Sequence, residues 1–154
     1  MKTLLKIIRH RDIVRKNIHN FISKLEERSI VHDLSKLQED EYAGFAELDS
    51  EEVFKLYGTD EYKKKIAENV GIKLHYQRNT HHPEHFEDGS QGFTGFNAVE
   101  SMTFLDILEM VIDWKSACET YGSDFNESID YSIKRFNCTS QQEWIIKLIA
   151  KDLN

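Results

Sequence analysis

Proline occurs once in 154 residues, at Pro83, and glycine seven times. Such scarcity argues against a turn-rich all-β fold, whose hairpins need glycine and proline at many corners. The two cysteines, Cys118 and Cys138, form no CxxC pair. That spacing excludes a zinc ribbon or a thioredoxin-type redox motif, and reads as two thiols in a reducing compartment. No apolar run approaches the ~20 residues of a membrane span. The start, MKTLLKIIRHRD, is interrupted by Lys6 and ends in charged residues, too short a stretch for a signal-peptide core. Excess positive charge is also missing. Asp and Glu number 27 against 20 Lys and Arg, a net charge of -7, which disfavours an extended nucleic-acid surface. The expectation is a cytoplasmic protein without a membrane segment.

What the sequence does contain is helical periodicity from end to end. Apolar residues recur at helix spacing over Leu4–Leu25, through Ile7, Ile8, Val14, Ile18, Phe21 and Ile22. Val31–Lys36 reads as a short helix carrying His32-Asp33, and Leu37–Leu48 as another. Asp49 and Glu52 form a capping-box pair opening a short helix before Gly58. Thr59 or Asp60 caps the next, which runs through Ile66, Val70 and Leu74 toward His81-His82, with a kink or break at Gly71 and an end at Pro83. Glu84–Phe96 is the one long irregular segment, a glycine-aromatic lid or a surface loop. Asn97 and Glu100 read as the cap of a helix stopped at Gly122. Ser123–Phe136 is a further helix, and Ser140 with Glu143 caps the last. The expected fold is all-α, a single compact helical domain over 1–154 with about six to eight helices. Oligomeric state stays open: no heptad seam is visible, and a homo-oligomer is compatible with the pattern.

The seven histidines are the chemically informative residues. Four lie in His75-Tyr-Gln-Arg-Asn-Thr-His81-His82-Pro-Glu-His85, and one precedes an aspartate at His32-Asp33. Imidazoles and carboxylates gathered by helices are the usual ligands of a divalent transition ion. His75 and His82 are seven apart and would share a face of one helix, whereas His81 would point about 100° away.

These residues carry a resemblance. His32-Asp33-Leu34-Ser35-Lys36 resembles the HDxxK signature of the HD-domain metal-dependent phosphohydrolases. The order His10, His32-Asp33, His75 with His81-His82, then Asp113 is similar to that family's order of ligands. Motif by motif, the HDxSK, RNxHH and EMxxDW segments are similar to a small branch of the superfamily, over roughly residues 10 to 117. The resemblance implies an HD-type helical domain in which His10, His32, Asp33 and Asp113 hold one divalent metal. It implies His75, His81 and His82 as candidates for a second. The ion would be Mn, Fe, Co, Ni, Zn or Mg. Lys36 matches a lysine that faces substrate phosphate, where nucleotidases of the superfamily carry a catalytic Glu. The run from His81 to Phe93 is also similar to the HHExxDGxGYP run of cyclic-dinucleotide phosphodiesterases, with a spacing longer by two and no proline after Phe93.

Within this scheme two positions keep alternatives. His19 competes with His10 as first ligand, and Asp106 with Asp113 as last. His10 is preferred because 22 residues leave room for a helix and a turn before His32. Glu109 reads as a polar-face residue or a partner to a histidine. The expected activity is hydrolysis of a phosphoester, of a nucleotide or similar small phosphorylated substrate, with Asp33, Lys36 and His81 at the reacting centre. Arg78 is a further candidate for neutralising phosphate charge, and His82 an alternative proton donor to the leaving oxygen. Rival readings are a non-catalytic metal- or nucleotide-binding module, an HD-fold di-iron oxygenase, and a helical interaction protein.

Overall fold

The computed structural model describes residues 2–50, 59–86 and 98–153. Among these residues the protein is all-α, with seven α-helices, three short 3-10 turns and no strand. Also among them, no helix is long and apolar enough to cross a membrane. The chain divides into two units, 1–34 and 35–154.

The first unit is a single helix, α1 (Lys2–Val31). The periodicity that suggests Leu4–Leu25 continues without a break, because Ser23 to Val31 holds neither glycine nor proline. The helix closes at His32, whose N–H donates to the Arg28 carbonyl at 2.8 Å. Asp33 follows with φ of 57°, the left-handed conformation that ends many helices and is usually taken by glycine or asparagine. The helix expected over Val31–Lys36 is therefore not formed. A left-handed residue interrupts it, and a 3-10 turn, Leu34–Leu37, follows.

The second unit begins with α2 (Glu39–Leu48). The capping pair read at Asp49 and Glu52, with its short helix, lies largely outside the described residues. Then come α3 (Asp60–Glu68) and α4 (Val70–Arg78). The break between them falls at Asn69, not Gly71. Asn69 ends α3 and caps α4, its Oδ1 accepting from Ile72 N at 2.9 Å, while its Nδ2 donates to the Gly44 carbonyl at 3.0 Å. Gly71 has a different task. A Cβ there would lie 2.7 Å from the Glu41 carbonyl oxygen and 2.8 Å from Gly44 Cα, so α2 and α4 cross backbone to backbone at the two glycines. Leu48 and Ile72 are buried beside the crossing, with Phe45, Tyr62, Ile66 and Tyr76 packed on them.

The C-terminal part packs α5 (Phe104–Tyr121), α6 (Phe125–Arg135) and α7 (Ser140–Leu153) around Met110, Val111, Ile129, Ile133, Ile146 and Ile149. The start of α5 is not the expected Asn97. Ala98–Ser101 is a 3-10 turn, and Thr103 with Asp106 forms the capping box. Gly122 stops α5 at φ of 72°, as its position in the sequence suggests. Asp124 caps α6 through Glu127 N. The last helix is capped one residue earlier than expected, by Thr139 and Gln142, which bond each other's backbone N–H groups.

Candidate metal centre

The Gly44–Gly71 crossing places Glu41 and His75 opposite each other. Each lies about one turn from the contact, Glu41 on α2 and His75 on α4. Glu41 is completely buried and His75 is 1% exposed. Glu41 Oε2 lies 3.0 Å from His75 Nδ1, and Glu41 Oε1 accepts from Arg78 at 2.8 Å. A carboxylate can only accept, so in a neutral His75 ring a proton on Nδ1 faces Glu41 and leaves the lone pair on Nε2. Asn79, the C-cap of α4, holds this arrangement. Its Nδ2 donates to Ser35 Oγ and to the His75 carbonyl, both at 2.8 Å.

Beyond Asn79 the chain turns back. His82 N donates to the Asn79 carbonyl at 3.2 Å, and His82 Nε2 arrives 2.9 Å from His75 Nε2. The two histidines meet as expected, but not on one helix face: α4 ends at Arg78, and the return of the chain makes the contact. His81 also lies in this turn, its ring centroid 4.2 Å from that of His82. It is 3% exposed and not turned away from its neighbour's surroundings. One ring nitrogen from each of His75, His81 and His82 lies within 4.8 Å of the others, so the second unit gathers imidazoles that could hold a metal ion.

Helix α5 supplies the opposing carboxylates. Asp106 accepts from the Thr80 hydroxyl at 2.6 Å and also closes the capping box with Thr103, which ties the 79–82 turn to the start of α5. Both of its oxygens are occupied in this way, which favours Asp113 over Asp106 as a ligand. One turn along, Glu109 Oε1 lies 3.3 Å from His81 Nδ1. Glu109 is thus a histidine partner, as one reading of the sequence has it. Asp113 follows one turn later, half-buried, close enough for its charge to help raise the Tyr76 pKa, which burial raises most.

Several expected roles change. Arg78 does not wait for phosphate: its guanidinium forks onto Asp40 at 2.6 and 2.9 Å and also reaches Glu41. Hydrogen bonding to Arg78 holds the Asp40 carboxyl below its ordinary pKa. Lys36 lies with its Nζ 4.8 Å from the centre of the Phe45 ring, a cation–π contact. Phe45 in turn stands edge-on to His75 at 5.4 Å. His85 Nδ1 donates to the Tyr76 carbonyl at 3.2 Å and braces the end of α4. Phe86 packs against the C-terminal core, while the rest of the glycine-aromatic segment, with Phe93 and Phe96, lies outside the described residues.

In the first unit, His32 Nε2 and Asp33 Oδ2 are 3.6 Å apart. His10 cannot join them. With α1 continuous, the 22 residues from His10 to His32 correspond to about 33 Å of axial rise, and the 13 from His19 to about 20 Å. The expected helix-and-turn between His10 and His32 is absent, so the set His10, His32, Asp33 and Asp113 does not form as a whole. Sequence reasoning missed Glu41 as the histidine's orienting carboxylate; it stands in no motif and is brought in by tertiary packing.

No curated protein and no solved structure matches the chain. A family model covers residues 1–153, and the chain belongs to that family, the family of unknown function DUF5662.

Proposed function

We propose that His75, His81 and His82 hold a divalent transition-metal ion, and that the protein hydrolyses a phosphoester of a small phosphorylated substrate at that ion. One observation carries the reading: His75 and His81 each have Nδ1 against a carboxylate, Glu41 and Glu109. Such carboxylate–histidine pairs fix the tautomer, orient the ring and raise the basicity of the other nitrogen, as metal-ligating histidines require. The spacing fits. Two nitrogens at 2.0–2.1 Å from a tetrahedral ion stand about 3.3 Å apart, close to the 2.9 Å between the Nε2 atoms of His75 and His82. An all-imidazole set suits Zn, Co, Ni or Fe better than Mg.

A bound ion of this class supplies a hydroxide nucleophile near neutral pH and Lewis acidity toward a phosphoryl oxygen. The chain's own residues supply the rest. Glu41, Asn79 and Arg78 keep His75 in one orientation. Lys36, beside Phe45 and one ring from His75, contributes positive charge for a phosphate oxygen. The resemblance of HDxSK, RNxHH and EMxxDW to the HD-domain phosphohydrolases supports the reaction class, with a nucleotide as the favoured substrate.

The test is turnover of a phosphomonoester and phosphodiester panel by the full chain, before and after removal of metal by a chelator and reloading with Zn, Co or Mn. Hydrolysis lost with the metal and restored with it is expected. Lys36→Ala should keep its metal and its melting temperature, yet lose about 10- to 1000-fold in kcat/KM. No turnover of any ester by the metal-loaded chain contradicts the proposal.

A further inference from the structure

We infer that Arg135, on α6, is the residue that binds the anionic group of a ligand beside the histidine cluster; the inference rests on the metal reading above. Arg135 is far from every motif in the sequence, yet its guanidinium pairs with a residue next to that cluster. It lies near Tyr76, which is next to His75 in the chain and stands with its ring 5.0 Å from that of His82. Its Nη2 donates to Glu84, two residues beyond His82. Its guanidinium lies 4.7 Å from the centre of the Phe136 ring, which is stacked at 2° on Trp114, the neighbour of Asp113. The ion pair and the ring contact together hold the guanidinium in place.

The charge balance distinguishes Arg135 from Arg78. Arg78 faces two carboxylates, Asp40 and Glu41, and is neutralised by them. Among the described residues Arg135 pairs with one carboxylate, Glu84, and its side chain remains 48% exposed. A guanidinium has five N–H donors in a rigid fork, so donors remain after Glu84 is served. A fixed, half-exposed fork is suited to bidentate contact with a phosphoryl or carboxylate group. The ligand class is a compact oxyanion, with phosphoryl favoured by the metal-site reading above. Glu84 competes for the same donors, which makes it the control residue.

The experiment measures the dissociation constant of inorganic phosphate for the full chain loaded with Zn, by calorimetry, with zinc affinity and melting temperature recorded for every variant. Arg135→Ala should weaken phosphate binding at least 10-fold at unchanged zinc affinity, and Arg135→Gln should do the same if the alanine variant folds poorly. Glu84→Gln breaks the same ion pair but keeps the cation, and should bind phosphate as tightly as the native chain or more tightly. Equal losses in Arg135→Gln and Glu84→Gln would make the ion pair merely structural and overturn the inference. So would unchanged binding in Arg135→Gln, or no phosphate binding by the native chain. Phosphate binding that depends on Arg135 without hydrolysis of any ester would leave the inference standing and remove the hydrolase reading. Hydrolysis that persists in Arg135→Gln with an unchanged KM would do the reverse.

Discussion

Two adjacent carboxylates, Asp40 and Glu41, bind the same arginine, yet their removal should have very different effects. Glu41 is fully buried and serves both Arg78, at 2.8 Å, and His75 Nδ1, at 3.0 Å. Glu41→Ala leaves both donors facing a cavity without their acceptor. Removing one member of a buried charged network costs about 3–5 kcal/mol, a large share of the 5–15 kcal/mol that holds a domain together. Glu41→Gln keeps the shape and one acceptor oxygen, so about 1–3 kcal/mol is expected, in the range for a lost charge-assisted bond. Asp40 has a side chain 48% exposed to solvent. Asp40→Asn should leave the urea midpoint close to native, because solvent screens exposed pairs. In urea titrations followed by circular dichroism at constant m, Glu41→Ala should lower the midpoint by about 2 M for an m near 2 kcal/mol/M. Glu41→Gln should fall between Ala and native. A loss in Asp40→Asn equal to that in Glu41→Gln would refute the reasoning, since burial would then not separate the two carboxylates.

Gly71→Ala places a methyl group 2.7 Å from a backbone carbonyl of α2, so the helices must part, at a cost of about 1–3 kcal/mol or more. A melting temperature equal to native would show that the crossing is not tight. Burial, helped by Glu143, pushes the half-buried Cys138 thiol up to about 11. Iodoacetamide at pH 8 should alkylate Cys138 about 100-fold more slowly in the folded chain than in urea, because the thiolate is the nucleophile. Equal rates would remove the burial argument. His10→Ala should leave metal content unchanged, because α1 carries His10 away from His32 along the helix axis; metal lost with His10 would contradict that placement.

Much of the fold is legible because helices write themselves locally. The stop at Gly122 and, among the described residues, the absence of strands follow from periodicity and punctuation alone. Errors concentrate where a local signal has two readings. Gly71 reads as a helix breaker, but the break is made by Asn69, two residues earlier, and the glycine serves a crossing that no local pattern announces. His10 reads as a ligand because a turn was expected before His32, yet nothing in Ser23–Val31 can break a helix. The histidines at 75, 81 and 82 are visible as a cluster. The carboxylates that orient them are 34 residues before and 28 residues after their partners, and only packing brings them there.

The central claim is that the imidazoles of His75, His81 and His82 form one metal site. Its most direct measurement is calorimetric titration of the metal-free full chain with zinc, native and in the variants His75→Ala, His81→Ala, His82→Ala and His10→Ala. One high-affinity equivalent is expected for the native chain and for His10→Ala, with affinity reduced at least 100-fold in each of the other three. Glu109→Gln, which keeps the ligands but weakens the orientation of His81, should lose about 10- to 100-fold. Native-like zinc binding in the three cluster variants, or none in the native chain, would contradict the account.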